Sequence, residues 1–254
     1  MVPEDVAVFG DRVVEVLGSV LAADLVGAWF VGSIALGGYV PDESDIDIVA
    51  VCEQRLPEET RHVLAAALSR AAAQCPTRGL EFTLYRREVT SSPPVGADFE
   101  VNANGGPRME TVVRVTPDEQ PGFWYVLDRA IAHRHGIAID GPPAEDVFAD
   151  APRTQLLGAM RESMRWHRAH ERATLYSVLN AARAWRFAEE DVLGSKLEGA
   201  SWARNRWRNP TLIDAAIDLR HGRPARLDDS DVDALLDHVD HALAAAEAIG
   251  HSRR

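Results

Sequence analysis

Two carboxylates inside an apolar strand constrain this chain more than any other sequence feature. Asp45 and Asp47 alternate with Ile46 and Ile48, and the apolar run continues to Cys52. Since residues two apart on a strand point to one side, both aspartates are predicted to share one face and both isoleucines the other. Two ionised carboxylates repel each other there unless water or a cation lies between them. The pattern therefore predicts a strand with one face in a core and the other in a polar site.

A second predicted strand supplies a third carboxylate. Glu81 alternates with the apolar residues Leu80, Phe82 and Leu84. If this strand lies beside the first one, Glu81 faces the same site as the two aspartates. There it could bind a metal ion or accept a proton from an attacking hydroxyl, and the residues themselves leave both roles open.

A glycine-serine turn precedes the first aspartate. Gly32 and Ser33 follow a predicted buried strand over residues 25–31. Backbone N–H groups at a strand-to-helix turn form an anion site, glycine lets a phosphate approach closely, and a serine hydroxyl adds a donor. Carboxylates on the next strand suit Mg²⁺, which binds one or two protein carboxylates together with waters and substrate phosphates. Phosphoryl or nucleotidyl transfer needs this combination.

Hydrophobic periodicity divides the chain into two domains. The first contains predicted helices and strands in alternation, and its strands are expected over residues 25–31, 45–52, 80–86, 98–102 and 110–115. The second is helical from residue 152 onward, with breaks near residues 172, 194, 209 and 222. We therefore expect an α/β N-terminal domain with a mixed sheet over residues 1–145. An all-α helical-bundle C-terminal domain is expected over residues 146–254.

Composition excludes several classes of function. The net charge of −12 repels nucleic-acid phosphates, and no apolar run approaches the ~18 residues of a membrane span. The N-terminal segment lacks the pattern of a signal peptide. The two cysteines form neither a disulfide framework nor a zinc pattern. We expect a cytoplasmic monomer that binds a small molecule, without a nucleic-acid or membrane partner.

The motifs resemble those of the nucleotidyltransferase superfamily related to DNA polymerase β. The resemblance begins with Gly32-Ser33, followed by Gly37-Gly38 and Ser44-Asp45-Ile46-Asp47. Within that superfamily the chain is most similar to the streptomycin/spectinomycin adenylyltransferases, whose C-terminal domain is α-helical. Further segments that resemble this subgroup lie at residues 80–83, 140–148, 179–185, 194–196 and 202–203.

The resemblance implies a reaction and a role for each matching residue. AMP would pass from ATP to a hydroxyl of an aminoglycoside or aminocyclitol antibiotic, and pyrophosphate would leave. Gly32 and Ser33 would hold the triphosphate, and Asp45 and Asp47 would bind two Mg²⁺ ions. Glu81 would be the general base. The N-terminal domain would have the nucleotidyltransferase fold.

Three more residues are candidates for binding. By resemblance, Lys196 would reach the phosphates from the helical domain, although a surface lysine is the alternative. Glu100 alternates with apolar neighbours and could meet a cationic amine of the substrate, or it could be solvated. Trp185 could line the drug cleft, or it could belong to a helical core.

Two rival functions stay open at the level of the sequence. The same chemistry could act on a protein side chain or on another small metabolite. The fold could also serve as a non-catalytic nucleotide-binding module, although Asp45, Asp47 and Glu81 are all present. The antibiotic, the hydroxyl, and the choice of ATP over another nucleotide are not determined by the sequence.

Overall fold

The computed structural model of the chain describes residues 2–117 and 120–252, which form two compact units. One unit is Met1–Ala151 and the other is Pro152–Arg254. The first is a mixed α/β unit and the second is helical, so the predicted fold class is confirmed.

The N-terminal unit alternates helices with strands. In chain order its elements are α1 (Glu4–Leu21), β1 (Leu25–Phe30), α2 (Gly32–Ala35), β2 (Ile46–Cys52), α3 (Glu58–Ala72), β3 (Leu80–Arg86), α4 (Arg87–Thr90), β4 (Val101–Gly106), β5 (Met109–Arg114), α5 (Gly122–His135) and β6 (Ile137–Asp140). Short 3₁₀ turns lie at Ala22–Asp24 and Ala144–Asp146.

The strands of the described residues form one sheet in the order β5-β4-β3-β2-β1-β6. Strands β2 and β3 run parallel and are joined through α3, whereas the other neighbours are antiparallel. A parallel pair needs such a crossover because the chain must return to the same end of the sheet. The parallel register places Asp47 beside Glu81, and β4 places Asn104 on the other side of Glu81.

One face of the sheet forms a core with α1 and α3. Ile46, Ile48, Phe82 and Leu84 lie on this face and are at most 1% exposed. Burial of each such side chain stabilises the fold by roughly 1.5–3 kcal/mol. The alternation read from the sequence thus predicts correctly which side of β2 and β3 is buried.

The opposite face of the sheet is covered by aromatic residues at one end. Trp29 packs edge-on against Phe148, with ring centroids 5.3 Å apart, and its indole N–H donates to the Pro142 carbonyl across 2.9 Å. Tyr85, at the C-terminal end of β3, lies under the guanidinium of Arg129 from α5, 5.6 Å from the ring centroid. Asp47 and Glu81 lie on this same face at the other end of their strands.

The turn between β4 and β5 lies later in the chain than predicted. The sequence pattern predicts a strand that ends at Asn102 and a turn at Asn104-Gly105-Gly106-Pro107, but β4 continues through Gly106 and the turn falls at Pro107-Arg108. A Cβ atom on Gly106 would lie 2.3 Å from the Cα atom of Gly79. Glycine is therefore needed for close approach of two backbones, not for a turn at this position.

Strand β6 is a further difference from the prediction. Its four residues are too few for a sequence pattern to indicate a strand, and two of them are half-buried while the other two are exposed. It pairs antiparallel with β1 at the edge of the sheet. Such a strand is defined by its tertiary partner and not by its own pattern.

The C-terminal unit consists of helices in the part that the structure describes. They are α6 (Arg153–His170), α7 (Leu175–Glu190), α8 (Lys196–Arg204), α9 (Pro210–Arg220) and α10 (Asp229–Ser252). Capping boxes begin α7 at Thr174 and α8 at Ser195, where the side chain of each cap accepts a hydrogen bond from a backbone N–H of the first turn. No helix of the described chain is long and apolar enough to cross a membrane.

Candidate active site

The Asp47 carboxylate lies against the turn that follows β1. A Cβ atom on Gly32 would lie 1.9 Å from Asp47 Oδ2, and Gly32 has a φ of +54°. Any other residue would clash with the carboxylate and strain the backbone. The Ser33 N–H donates to the same oxygen across 3.4 Å, and the Val31 N–H donates to the Asp47 carbonyl across 3.0 Å. The predicted phosphate-binding turn and the predicted metal-binding strand are thus in direct contact.

The hydroxyl of Ser33 has bonding capacity that the fold does not use. Its Oγ atom is buried and has no hydrogen-bond partner among residues 2–117 and 120–252. A buried hydroxyl without a partner is unfavourable by about 1–3 kcal/mol. A ligand oxygen at this position would remove that cost, which fits the role predicted for Ser33.

Asp45 lies one residue before β2 and is half-buried. Because Ile46 points into the core, strand alternation places Asp45 on the same side as Asp47. Its Oδ1 atom lies 3.6 Å from a guanidinium nitrogen of Arg78, which stands shortly before β3. Sequence analysis did not identify Arg78, because a lone arginine in a loop carries no distinguishing pattern.

Glu81 is exposed at the start of β3, between Asp47 of β2 and Asn104 of β4. Neighbouring strands lie about 4.8 Å apart, so the carboxylates of Asp47 and Glu81 can act on one substrate. The charge of Glu81 also influences the pKa of Tyr125 on α5. Burial raises the pKa of Tyr125 to about 12; Arg114 opposes that rise, and the charges of Asp128 and Glu81 add to it.

A second polar row crosses the same face of the sheet. Thr83 pairs with Asn102, and Asn102 pairs with Arg114 on β5. The Asn102 amide donates to Thr83 Oγ1 across 3.1 Å, and its oxygen accepts from Arg114 across 3.3 Å. The alternation of Asn102 and Asn104 with apolar residues is a signal that could have found this row. The sequence prediction ends this strand at Asn102 and places a turn at Asn104-Gly105-Gly106-Pro107, so the alternation beyond Asn102 is not used there.

The residues at this site fit a magnesium ion. Asp45 and Asp47 offer hard oxygen donors, and the missing side chain of Gly32 lets the Asp47 carboxylate lie directly against the predicted phosphate-binding turn. Among the described residues, no cluster of three or more His, Cys, Asp or Glu side chains could hold a metal alone. Mg²⁺ does not need one, since it commonly binds one or two carboxylates and takes its other oxygens from water and substrate phosphates.

Glu100 is buried in the N-terminal unit and is not solvated. It is 2% exposed and lies just before β4. One carboxylate oxygen pairs with Arg86 across 3.0 Å, and the other accepts from the Leu56 N–H across 3.1 Å. Both carboxylate oxygens therefore have partners within the fold, and a role of Glu100 in substrate binding stays a prediction.

Trp185 lies in an aromatic cluster of the C-terminal unit. Its ring is edge-on to Trp202 and to His238, at centroid distances of 4.9 Å and 4.5 Å, and it is 6% exposed. Within the described residues its buried indole N–H finds no acceptor. This position agrees with the alternative that Trp185 belongs to a helical core, and a role in substrate binding stays a prediction.

Lys196 is the first residue of α8 and is half-buried. Its ammonium lies 5.2 Å from the ring centroid of Tyr176. It also influences His167, which is 1% exposed. Burial lowers the pKa of His167 to about 4, and the positive charges of Lys196 and Arg183 add to that effect. Lys196 thus belongs to a cationic region of the helical unit, and its contact with a nucleotide stays a prediction.

Comparison with known proteins finds similarity to aminoglycoside adenylyltransferases. Residues 146–245 match the family described as "Aminoglycoside adenylyltransferase, C-terminal domain". An aminoglycoside (3'') (9) adenylyltransferase of Rhizobium radiobacter is 27% identical over 202 residues, which cover 76% of this chain and 75% of the relative. A spectinomycin 9-adenylyltransferase of Staphylococcus aureus is 24% identical over the same shares of the two chains. The chain is thus similar in sequence to aminoglycoside and spectinomycin adenylyltransferases.

A solved structure shares the fold of the chain. The spectinomycin adenyltransferase AAD(9) from Enterococcus faecialis, determined with ATP and spectinomycin, superposes with a TM-score of 0.71. The match covers 92% of this chain and 97% of the other at 14% sequence identity. At that identity the comparison establishes the fold, and the chemistry must be argued from the residues of this chain.

Proposed function

We propose that this protein transfers AMP from ATP to a hydroxyl of an aminoglycoside or aminocyclitol antibiotic and releases pyrophosphate. The observation that carries the proposal is the register of β2 and β3, which sets Asp47 beside Glu81 with the Gly32-Ser33 turn against Asp47. Relatives named as aminoglycoside and spectinomycin adenylyltransferases support this class of substrate.

Each residue of the site has a place in the reaction. The substrate hydroxyl gives its proton to the Glu81 carboxylate while its oxygen attacks the α-phosphorus of ATP. The bond from that phosphorus to the pyrophosphate oxygen breaks, and pyrophosphate leaves. The Ser33 hydroxyl donates to a phosphate oxygen, and Gly32 lets the Asp47 carboxylate lie beside the Gly32-Ser33 turn. Two Mg²⁺ ions on Asp45 and Asp47 would stabilise the charge on the attacking and leaving oxygens.

The other predicted features remain part of the proposal. Residues 1–145 would supply the reacting groups, and residues 146–254 would supply Lys196 for the phosphates and Trp185 for the drug. The net charge of −12 favours a cationic antibiotic over a nucleic acid. Both cysteines are buried and free, which agrees with a reducing cytoplasm. We also propose that the protein acts as a monomer.

Pyrophosphate release tests the proposal. Purified protein is incubated with ATP, Mg²⁺ and one antibiotic at a time, from a panel of aminoglycosides and spectinomycin. We expect release with at least one drug, a mass gain of one AMP on that drug, and no release with the Asp47→Asn variant. If ATP binds but the whole panel is inactive, the proposed acceptor is wrong, and a protein acceptor, another metabolite or a non-catalytic nucleotide-binding role replaces it. Absence of ATP binding would overturn the proposal.

A further inference from the structure

Asp45 already has a cationic neighbour provided by the fold. The guanidinium of Arg78 lies 3.6 Å from Asp45 Oδ1, and the exposed fractions of the two side chains are 37% and 20%. The pair stands at the N-terminal ends of the two parallel strands, where Asp47 and Glu81 also lie. A positive charge therefore sits beside a carboxylate that the proposed function assigns to a metal ion.

The backbone that carries Arg78 is fixed from two sides. The Ile46 N–H donates to the Gly79 carbonyl across 2.8 Å, which ties this segment to β2. The Arg108 N–H, from the turn between β4 and β5, donates to the Arg78 carbonyl across 3.0 Å. Gly79 and Gly106 approach so closely that a Cβ on Gly106 would lie 2.3 Å from the Gly79 Cα. The backbone position of Arg78 is thus set by the sheet.

The charge of Arg78 affects both the repulsion between the two aspartates and the binding of a cation to Asp45. Two carboxylates on one strand face repel each other, and a guanidinium beside one of them reduces that repulsion. A divalent cation at Asp45 would meet the same guanidinium as a like charge. The pair is also partly exposed, so its attraction is modest and an ion can compete with it.

We propose that Arg78 is a built-in counter-ion of Asp45 that competes with the divalent metal ion. This inference rests on the proposed function, because it assumes that Asp45 and Asp47 hold the metal. Arg78 weakens binding of the metal alone. A nucleotide triphosphate brings further oxygen ligands and negative charge, which offset that competition. The metal then binds mainly together with its nucleotide.

Binding of Mn²⁺ without nucleotide tests the inference, with the free ion measured by electron paramagnetic resonance at constant ionic strength. We expect Arg78→Gln to bind Mn²⁺ about two- to five-fold more tightly than the wild type, as loss of a partly exposed ion pair allows. Arg78→Lys, which keeps the charge, should stay close to the wild type. Unchanged or weaker binding in Arg78→Gln would overturn the inference.

Arg108→Gln is the matched control. Arg108 is also a partly exposed arginine with an aspartate at 3.6 Å, but its partner is Asp42, which lies outside the proposed metal site. We expect no change of Mn²⁺ affinity in this variant. Equal gains in Arg78→Gln and Arg108→Gln would indicate a general effect of net charge and would also overturn the inference.

A failure of the proposed function gives a different result. If Asp47→Asn binds Mn²⁺ as well as the wild type does, the metal is not at this site and the proposed function is wrong. If Asp47→Asn loses Mn²⁺ while Arg78→Gln matches the wild type, the site stands and only the role of Arg78 is wrong. Arg78→Met serves as a second neutral variant if Arg78→Gln does not fold.

Discussion

Two glutamates of the N-terminal unit, Glu81 and Glu100, lie in opposite environments: one is exposed at the candidate site and the other is buried in an ion pair. Glu81 is exposed on β3 beside Asp47, at the end of the sheet where the turn and the aspartates meet. Glu100 is 2% exposed, and its two oxygens are bound by Arg86 and by the Leu56 N–H. Both acids alternate with apolar residues in the sequence. Alternation therefore indicates a polar position but does not distinguish a reactive acid from a structural one.

The difference comes from what the rest of the fold brings to each acid. Around Glu100, two other segments supply a cation and an amide donor, so the buried charge is compensated inside the protein. Around Glu81, the neighbouring strands bring another carboxylate and an asparagine. We infer that the end of the sheet that carries Glu81 is arranged for an external cation and a substrate, whereas the ion pair of Glu100 stabilises the fold.

The largest effect is expected for Asp47→Asn, on activity and not on stability. Loss of this carboxylate should reduce adenylyl transfer by about a thousandfold or more, which corresponds to ~4 kcal/mol of barrier. Pyrophosphate release with the active antibiotic measures the effect, and thermal unfolding checks the fold. Asp42→Asn is the control because Asp42 is exposed in the preceding loop. Near-normal turnover by Asp47→Asn would remove Asp47 from the proposed metal site.

Glu81→Gln comes next and tests the reactive side of the comparison. Loss of the base should slow transfer by roughly 10²- to 10⁴-fold, with ATP affinity nearly unchanged. Single-turnover kinetics and calorimetry with ATP separate the two quantities. Glu110→Gln, on an exposed position of β5, is the control. Loss of ATP binding in Glu81→Gln would indicate a metal ligand, and normal turnover would exclude both roles.

Glu100→Gln tests the structural side. The amide cannot neutralise Arg86, so we expect a loss of about 3 kcal/mol in the free energy of unfolding, measured by denaturant titration. Arg86 keeps Glu88 at 3.3 Å, which limits the loss. Activity per folded molecule should stay close to that of the wild type. Glu88→Gln is the control, since Glu88 is exposed and contacts the same arginine. A stable but inactive Glu100→Gln would return Glu100 to the site.

Much of the site can be predicted from the sequence because its signals are local. The alternation of Asp45 and Asp47 with isoleucines, and the order of turn, strand, helix and acidic strand, follow from two-residue periodicity and from glycine. Arg78 and the internal ion pair of Glu100 could not be predicted in this way. Each depends on which strands become neighbours, and pairing across the sheet leaves no short-range pattern in the sequence.

His167 extends the comparison to the helical unit, since it is as buried as Glu100 but is held without charge. Its Nδ1 lies 3.0 Å from Glu171, and its Nε2 lies 2.9 Å from the amide nitrogen of Asn180. Because an amide nitrogen only donates, Nε2 must accept, and Nδ1 carries the proton that is donated to Glu171. The fold thus satisfies both ring nitrogens of a neutral histidine.

The smallest expected effect is a pH dependence of stability. Burial lowers the pKa of His167 from 6.5 to about 4. Between these values the unfolded chain binds a proton that the folded chain excludes, so stability falls as the pH decreases. We expect a loss of about 2 kcal/mol in the free energy of unfolding between pH 7 and pH 5 from this residue, measured by urea titration at each pH.

The variant His167→Gln isolates that contribution. It should lower stability at pH 7 but remove most of the additional loss at pH 5, because glutamine does not titrate. His62→Gln, at an exposed position of α3, should keep the pH dependence of the wild type. Identical pH dependence in His167→Gln and the wild type would show that His167 is not held neutral by its surroundings. The contrast between Glu100, which is buried as a paired charge, and His167, which is buried without charge, would then not hold.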